Sequence, residues 1–248
     1  MEVIITTPQF TLNLRRLLII LFAFILTRCT STCTAIDVNS FAEKFAKSSK
    51  INPSSAEFID SISCINISQL NTQLDNDDQK KAFWINIYNG VVQCELYKKN
   101  SPKLTDAHFF EAKRIQFQDV KLSLNDIEHG ILRRVPNTTI STIEPIKRKD
   151  PRIHFALNCG ARSCPPFHFY SAETINKQLL IAERTFIKST SSYNIESNTL
   201  TISEIFRWYA EDFGGKNGIN RLMRAFQICP IWASPKITYS PYDWRTEN

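Results

Sequence analysis

Asp150-Pro-Arg-Ile-His-Phe-Ala-Leu-Asn-Cys-Gly-Ala-Arg-Ser-Cys-Pro-Pro166 is the stretch around which the rest of the chain is read. Its Asp-Pro opening biases Asp150 toward extended backbone. Residues 152–158 then alternate. Ile153, Phe155 and Leu157 fall on one face and His154, Ala156 and Asn158 on the other, which predicts a strand. Gly160 permits a turn and Pro165-Pro166 forbids further ladder pairing, so the strand should end at Cys159. A thiol at a strand exit, with Cys164 five residues on and an imidazole upstream, is a common arrangement for a reactive loop.

The flanks read as scaffold. The strongest helix is expected over Lys80–Lys99, with Phe83, Trp84, Ile87, Tyr88, Val91 and Leu96 on its core face. Asn86, Asn89 and Gln93 make an amide row on that helix, which must either cap neighbouring backbone or line a polar site. Ahead of it, Ser40 and Glu43 form a capping-box pattern, and Pro53 suits the first turn of a helix carrying Phe58, Ile59 and Ile62. A hairpin is expected around residues 114–123, and then a short helix holding Ile127, Glu128, His129, Ile131, Leu132 and Arg133. Beyond the cysteine loop, Ile175, Leu179, Ala182 and Phe186 give a helical core stripe. A second hairpin spans Asn194–Ile202, Ser203 caps a helix through Tyr209, and a last helix lies near Ile219–Phe226. Clustered hairpins without regular strand–helix alternation predict an α+β class, a helix-rich single domain with a small, mainly antiparallel sheet.

Length and composition set the bounds. The 248 residues are 43% hydrophobic and 22% charged, with net charge +6, which suits a globular chain able to bury a core. The positive charges are scattered, so nucleic-acid binding is not indicated. Arg15-Arg16, the apolar run Leu17–Leu26 and Cys33-Thr-Ala35 read as a secretory signal over residues 1–35, leaving a domain over residues 36–248. The run is shorter than the ~20 residues a bilayer span needs. The expectation is therefore a secreted protein with no stable membrane span after cleavage, with an uncleaved signal-anchor as the alternative. Cleavage would leave Cys64, Cys94, Cys159, Cys164 and Cys229, an odd set in an oxidising compartment. Asn66-Ile-Ser68 and Asn137-Thr-Thr139 are glycosylation sequons.

The candidate chemistry centres on Cys159 as nucleophile, with His129 or His154 as general base. Glu128 or Asn86 would orient that base. Asn89, Arg152, Asn158 and Arg162 are candidate substrate-binding groups, and the amides of the Gly160–Ser163 loop could serve an oxyanion. The leading expectation is a thiol enzyme that hydrolyses or transfers an acyl or amide group of a small-molecule or peptide substrate. The rivals are a non-catalytic binding domain and a thiol–disulfide switch at Cys159 and Cys164. Cys159 is expected to be free and partly accessible with a lowered pKa, and Cys164 buried or paired elsewhere. The Cys/His spacing matches no common zinc pattern, and no cofactor motif is present, so neither metal nor cofactor is expected.

Lys81-Ala-Phe-Trp-Ile-Asn-Ile-Tyr-Asn89, Ile127-Glu-His-Gly-Ile-Leu-Arg133, Asp150–Pro166, Trp208-Tyr-Ala-Glu-Asp-Phe213 and Tyr242-Asp-Trp244 together resemble the signature blocks of the domain-of-unknown-function 547 family. The likeness runs from Gln79 to Asp212 and includes the tail. It implies that Asn86, Asn89, Glu128, His129, Arg152, His154, Asn158 and Cys159 are family signature positions. Plant members often carry an N-terminal coiled coil, whose heptads are missing from this sequence. The resemblance supplies no activity.

Overall fold

Helix α1 (Val38–Ile51) begins where the Asp37 carboxylate accepts the amides of Asn39 and Ser40. This corrects the expected cap at Ser40: the carboxylate three residues earlier reaches the orphan amides first. Glu43 instead pairs with Lys47 at 2.8 Å. The computed structural model describes residues 36–53, 56–98, 101–138 and 140–246. The expected signal segment and Thr139 of the second sequon lie outside them. Two short helices follow, α2 (Ala56–Ile62) and α3 (Ile67–Gln73). The second has no counterpart among the expectations, and Asn66 of the first sequon caps it by accepting the amides of Ser68 and Gln69.

Helix α4 (Asp77–Tyr97) is the spine. It is capped by Asn76 and is buried without interruption from Lys80 to Val92. A helix covered on all sides has no polar face to keep in water, so its polar groups must be satisfied internally. Lys80 reaches Glu144 and Lys81 bridges Asp78 and Asp150. Along one flank α1 lies so close that a Cβ on Gly90 would stand 2.5 Å from the Phe45 ring.

Next come α5 (His108–Glu111) and the expected hairpin, reduced to β1 (Ile115–Gln116) against β2 (Lys121–Leu122). The helix carrying Glu128 and His129, α6 (Asp126–Leu132), is π-helical, with the Arg133 amide donating to the Glu128 carbonyl five residues back. Such wide turns are rare and frequently mark functional sites.

The strand expected over residues 152–158 does not form. Pro151–Phe155 is a 3₁₀ helix started by Asp150, whose side chain accepts the Arg152 amide. Ile153 through Asn158 are all buried, so the alternation separated no inner face from an outer one. Helix α7 (Ile175–Thr190) presents Ile175, Leu179, Ala182 and Phe186 to the core as expected. Strands β3 (Ser192–Asn194) and β4 (Thr199–Ser203) are the second hairpin. Helix α8 (Ile205–Trp208) starts after Ser203, whose hydroxyl accepts the Ile205 amide. Gly214, at φ +77°, turns the chain into α9 (Gly215–Ala225). The tail then returns as β5 (Lys236–Ser240), parallel to β4, to complete a three-stranded sheet. The whole is a helix-rich α+β fold with two small, mostly antiparallel sheets, as the sequence led one to expect. Phe155, Phe186, Phe206 and Phe213 form the aromatic centre of the core beneath the second sheet.

Candidate functional site: a thiol pair in an aromatic cleft

The amide row of α4 holds the cysteine loop by its backbone. Asn86 donates to the Tyr170 carbonyl at 2.7 Å and accepts the Tyr170 amide at 2.8 Å. Asn89 donates to the Ala156 carbonyl at 3.0 Å and accepts the Asn158 amide at 2.8 Å. Asn158 in turn donates to the Pro165 carbonyl at 2.7 Å and accepts the Gly160 amide, while Gln93 reaches its carbonyl oxygen at 3.4 Å. These side chains do for irregular backbone what a sheet ladder does for a strand. That is why the loop can be buried without being a strand. Gly160, at φ +85°, makes the turn, and a Cβ there would meet the Leu96 side chain.

The turn folds Cys164 back onto Cys159. Their sulfurs lie 2.7 Å apart, and the Cys159 amide points at the Cys164 sulfur at 2.8 Å. Both residues are half-buried, and all five cysteines in the described residues are free. Cys164 is half-buried and bridged to no other cysteine among the described residues. The Tyr242 hydroxyl sits 3.4 Å from the Cys159 sulfur. Hydrogen bonds from Cys164, then from Tyr242, hold the Cys159 thiol below its ordinary range against the opposing effect of burial. Burial and the Cys159 contact push Cys164 well up.

The pair lines a cleft of about 210 Å³ whose wall also carries Glu128, His129 and His154. Glu128 is buried and accepts Tyr209 at 2.7 Å and Tyr88 at 3.4 Å. Burial, with the Glu128 charge adding to it, pushes both phenols up. His129 Nδ1 lies 2.9 Å from an Arg133 nitrogen. A guanidinium only donates, so Nδ1 accepts and the ring proton sits on Nε2. Burial, aided by the Arg133 charge, moves His129 down, in keeping with a neutral ring. His154 Nε2 is 2.8 Å from Asp212, which also takes Arg133 Nε at 2.5 Å. Asp212 is partly buried, which opposes ionisation, but the bonds from His154 and Arg133 hold it far below the usual carboxylate range. The Tyr209 ring stacks on His154 at 3.9 Å. Trp208, Tyr242 and Trp244 form an aromatic rim.

Cys159, Glu128, His129 and His154 therefore meet at one cleft. Among the described residues neither histidine hydrogen-bonds Cys159. Asn86, Asn89 and Asn158 stand behind the loop and position it. Arg152 forks onto Asp150 and reaches Asn176, beside a separate charged cavity of about 900 Å³ at the start of α4. Arg162 lies on a second groove behind the loop. Sequence reasoning missed Tyr88, Arg133, Tyr209, Asp212 and Tyr242 as site groups. All five sit inside the quoted motif blocks, which was the available signal.

The fold and the cleft together define a helix-rich α+β domain carrying a half-buried thiol pair among a carboxylate, two imidazoles and tyrosines. A model of the family described as "Protein of unknown function, DUF547" matches residues 72–187. No curated protein and no solved structure matches the chain.

Proposed function

We propose that this is a thiol-dependent protein whose reactive centre is the Cys159–Cys164 pair, working by thiol–disulfide exchange on a substrate admitted to the cleft. The observation that carries the reading is the 2.7 Å approach of the two sulfurs on the cleft wall. A disulfide bond is about 2.05 Å long, so oxidation needs only a small further approach. The Cys159 thiolate attacks one sulfur of a substrate disulfide, forming a mixed disulfide and expelling one substrate thiolate. Cys164 then gives up its proton and attacks the Cys159 sulfur, expelling the second. The two cysteines are oxidised by two electrons and the substrate disulfide is reduced to two thiols, which take up the two cysteine protons. The lowered Cys159 pKa suits the first attack, and the raised Cys164 pKa keeps it protonated until the mixed disulfide forms.

A second reading, acyl or amide transfer by Cys159, is favoured by the His154–Asp212 pair on the same cleft. The test uses a Cys64→Ser background, because Cys64 is exposed. An aromatic disulfide probe should release two thiolates per protein and leave a Cys159–Cys164 bridged peptide. Cys164→Ser should stop at the mixed disulfide after one. Turnover of an activated ester that needs Cys159 but survives Cys164→Ser would transfer the case to the second reading. Failure of both thiols to react until unfolding would sink both and leave a binding domain.

A further inference from the structure

Cys164 and Tyr242 line two openings at once: the cleft described above and, behind it, a groove of about 750 Å³ between the cysteine loop, the end of α7 and the tail. The two openings differ in chemistry. The cleft holds Glu128, imidazoles and aromatic rings. The groove is lined by Lys50 and Arg162 and by the hydroxyls of Thr190, Ser191, Ser192 and Ser240, and no aspartate or glutamate is among its lining residues. The Ser191 hydroxyl oxygen is buried with no hydrogen-bond partner among the described residues. Phe167 lies across the groove, with the Lys50 ammonium 5.5 Å from its ring centre. Two cations and a bank of hydroxyls form a surface for a small anionic polar molecule; the Asp243 carboxylate near Arg162 is already forked by Arg245, and Cys164 stands at the groove wall.

We propose that this groove binds a small carboxylate-bearing thiol, which exchanges with Cys164 from the side opposite the substrate cleft. The inference rests on the thiol–disulfide reading of the pair and gives it a second, chemically distinct entrance. In the reducing direction, the bound thiolate attacks the Cys164 sulfur of the bridged form, making a mixed disulfide there and expelling Cys159 as thiolate. A second small thiolate attacks the external sulfur of that mixed disulfide and releases Cys164. The protein disulfide gains two electrons, the two small thiols become one small disulfide, and their protons end on the two cysteines. Attack at Cys164 expels the cysteine whose thiolate is better stabilised, which is the faster direction of cleavage. Substrate and small thiol need not compete for one opening.

The experiment compares reduction of the bridged Cys64→Ser protein by mercaptosuccinate and by neutral 2-mercaptoethanol. Lys50→Glu combined with Arg162→Glu should slow the mercaptosuccinate reaction roughly tenfold while barely changing the neutral one, and added salt should narrow the gap. Equal effects on both thiols, or none on either, would overturn the proposal. A second measurement does not depend on redox chemistry. Non-reactive succinate added to the native Cys64→Ser protein should shift amide resonances at residues 162–167, 189–192 and 240–242, and the double variant should abolish the shifts. Absence of those shifts overturns the groove even where the thiols exchange. Their presence in a protein whose cysteines never bridge keeps the groove and removes the exchange chemistry.

Discussion

Replacing Asn89 by alanine removes one side chain that serves three pieces of backbone. Its carboxamide donates to the Ala156 carbonyl at 3.0 Å and more weakly to the His168 carbonyl at 3.4 Å, and it accepts the Asn158 amide at 2.8 Å. Asn89 is fully buried, and Ala156 and Asn158 are buried as well. No water can replace the lost partner without opening the core. A buried backbone group left unpaired costs about 1–3 kcal/mol. The two well-formed bonds thus give a loss of about 4 kcal/mol, with the 3.4 Å contact adding little. For a domain of this size each kcal/mol lowers Tm by about 2–4 °C, so the midpoint should fall by roughly 8–16 °C. Gln93→Ala is the control. Its side chain is only half-buried and makes one 3.4 Å bond, so it should cost less than about 1 kcal/mol. Urea titrations and thermal scans of the two variants give the comparison directly. If Asn89→Ala unfolds within about 1 kcal/mol of the parent, or alongside Gln93→Ala, the amide row is not what holds the cysteine loop.

The hydrogen-bond pattern at the sulfurs makes Cys164→Ala raise the Cys159 thiol pKa more than Tyr242→Phe does, readable as the pH dependence of Cys159 alkylation; equal pKa values in parent and variants would contradict it. Asp212 has a folded pKa below its unfolded value of about 3.9, so its contribution to stability is complete above that value and is lost as pH falls toward the folded one. Asp212→Asn should therefore flatten the acid side of the stability curve, and a parallel pH profile for the two proteins would count against the His154–Asp212–Arg133 cluster. Gly90→Ala should destabilise the domain by about 1–3 kcal/mol through overpacking, because the added methyl meets the Phe45 ring; an unchanged urea midpoint would mean that α1 and α4 can part without penalty.

What the sequence disclosed divides along a physical line. Features encoded by local spacing were legible: the long helix, both hairpins, the stripe of α7 and the α+β class. The cysteine loop was placed correctly as a loop but misread at its entrance. Asp150 followed by Pro151 is also the signature of a helix start, with a side chain to cap and a proline at the first turn. The period-two pattern outweighed that signal, although a segment buried on every side leaves no face for such a pattern to mark. Strand β5 was illegible for a related reason. Lys236-Ile-Thr-Tyr-Ser240 has no residue buried deeply enough to declare a face, and its extended form comes from pairing with β4.

The cleft was only half legible because its groups are far apart in the chain. Glu128, His129, His154 and Cys159 lie within a short span and carry the residue types chemistry needs. Asp212 stands 58 residues from His154, Tyr209 81 residues from Glu128, and Tyr242 83 residues from Cys159. No spacing rule connects such partners. The family match ends at residue 187, so all three late partners come from beyond it. Tyr209 and Asp212 follow α8 directly after β4, whereas Tyr242 arrives because β5 pairs with β4 and the tail then locks onto the loop. The Arg162 amide donates to the Arg245 carbonyl, the Ser163 amide to the Asp243 carbonyl, and the Asp243 amide to the Ser163 hydroxyl. The same tail supplies Tyr242 to both openings onto the thiol pair. The setting of Cys159 therefore depends on the docked tail through Tyr242, while Cys164, the first of its two hydrogen-bonding partners, lies inside the matched segment.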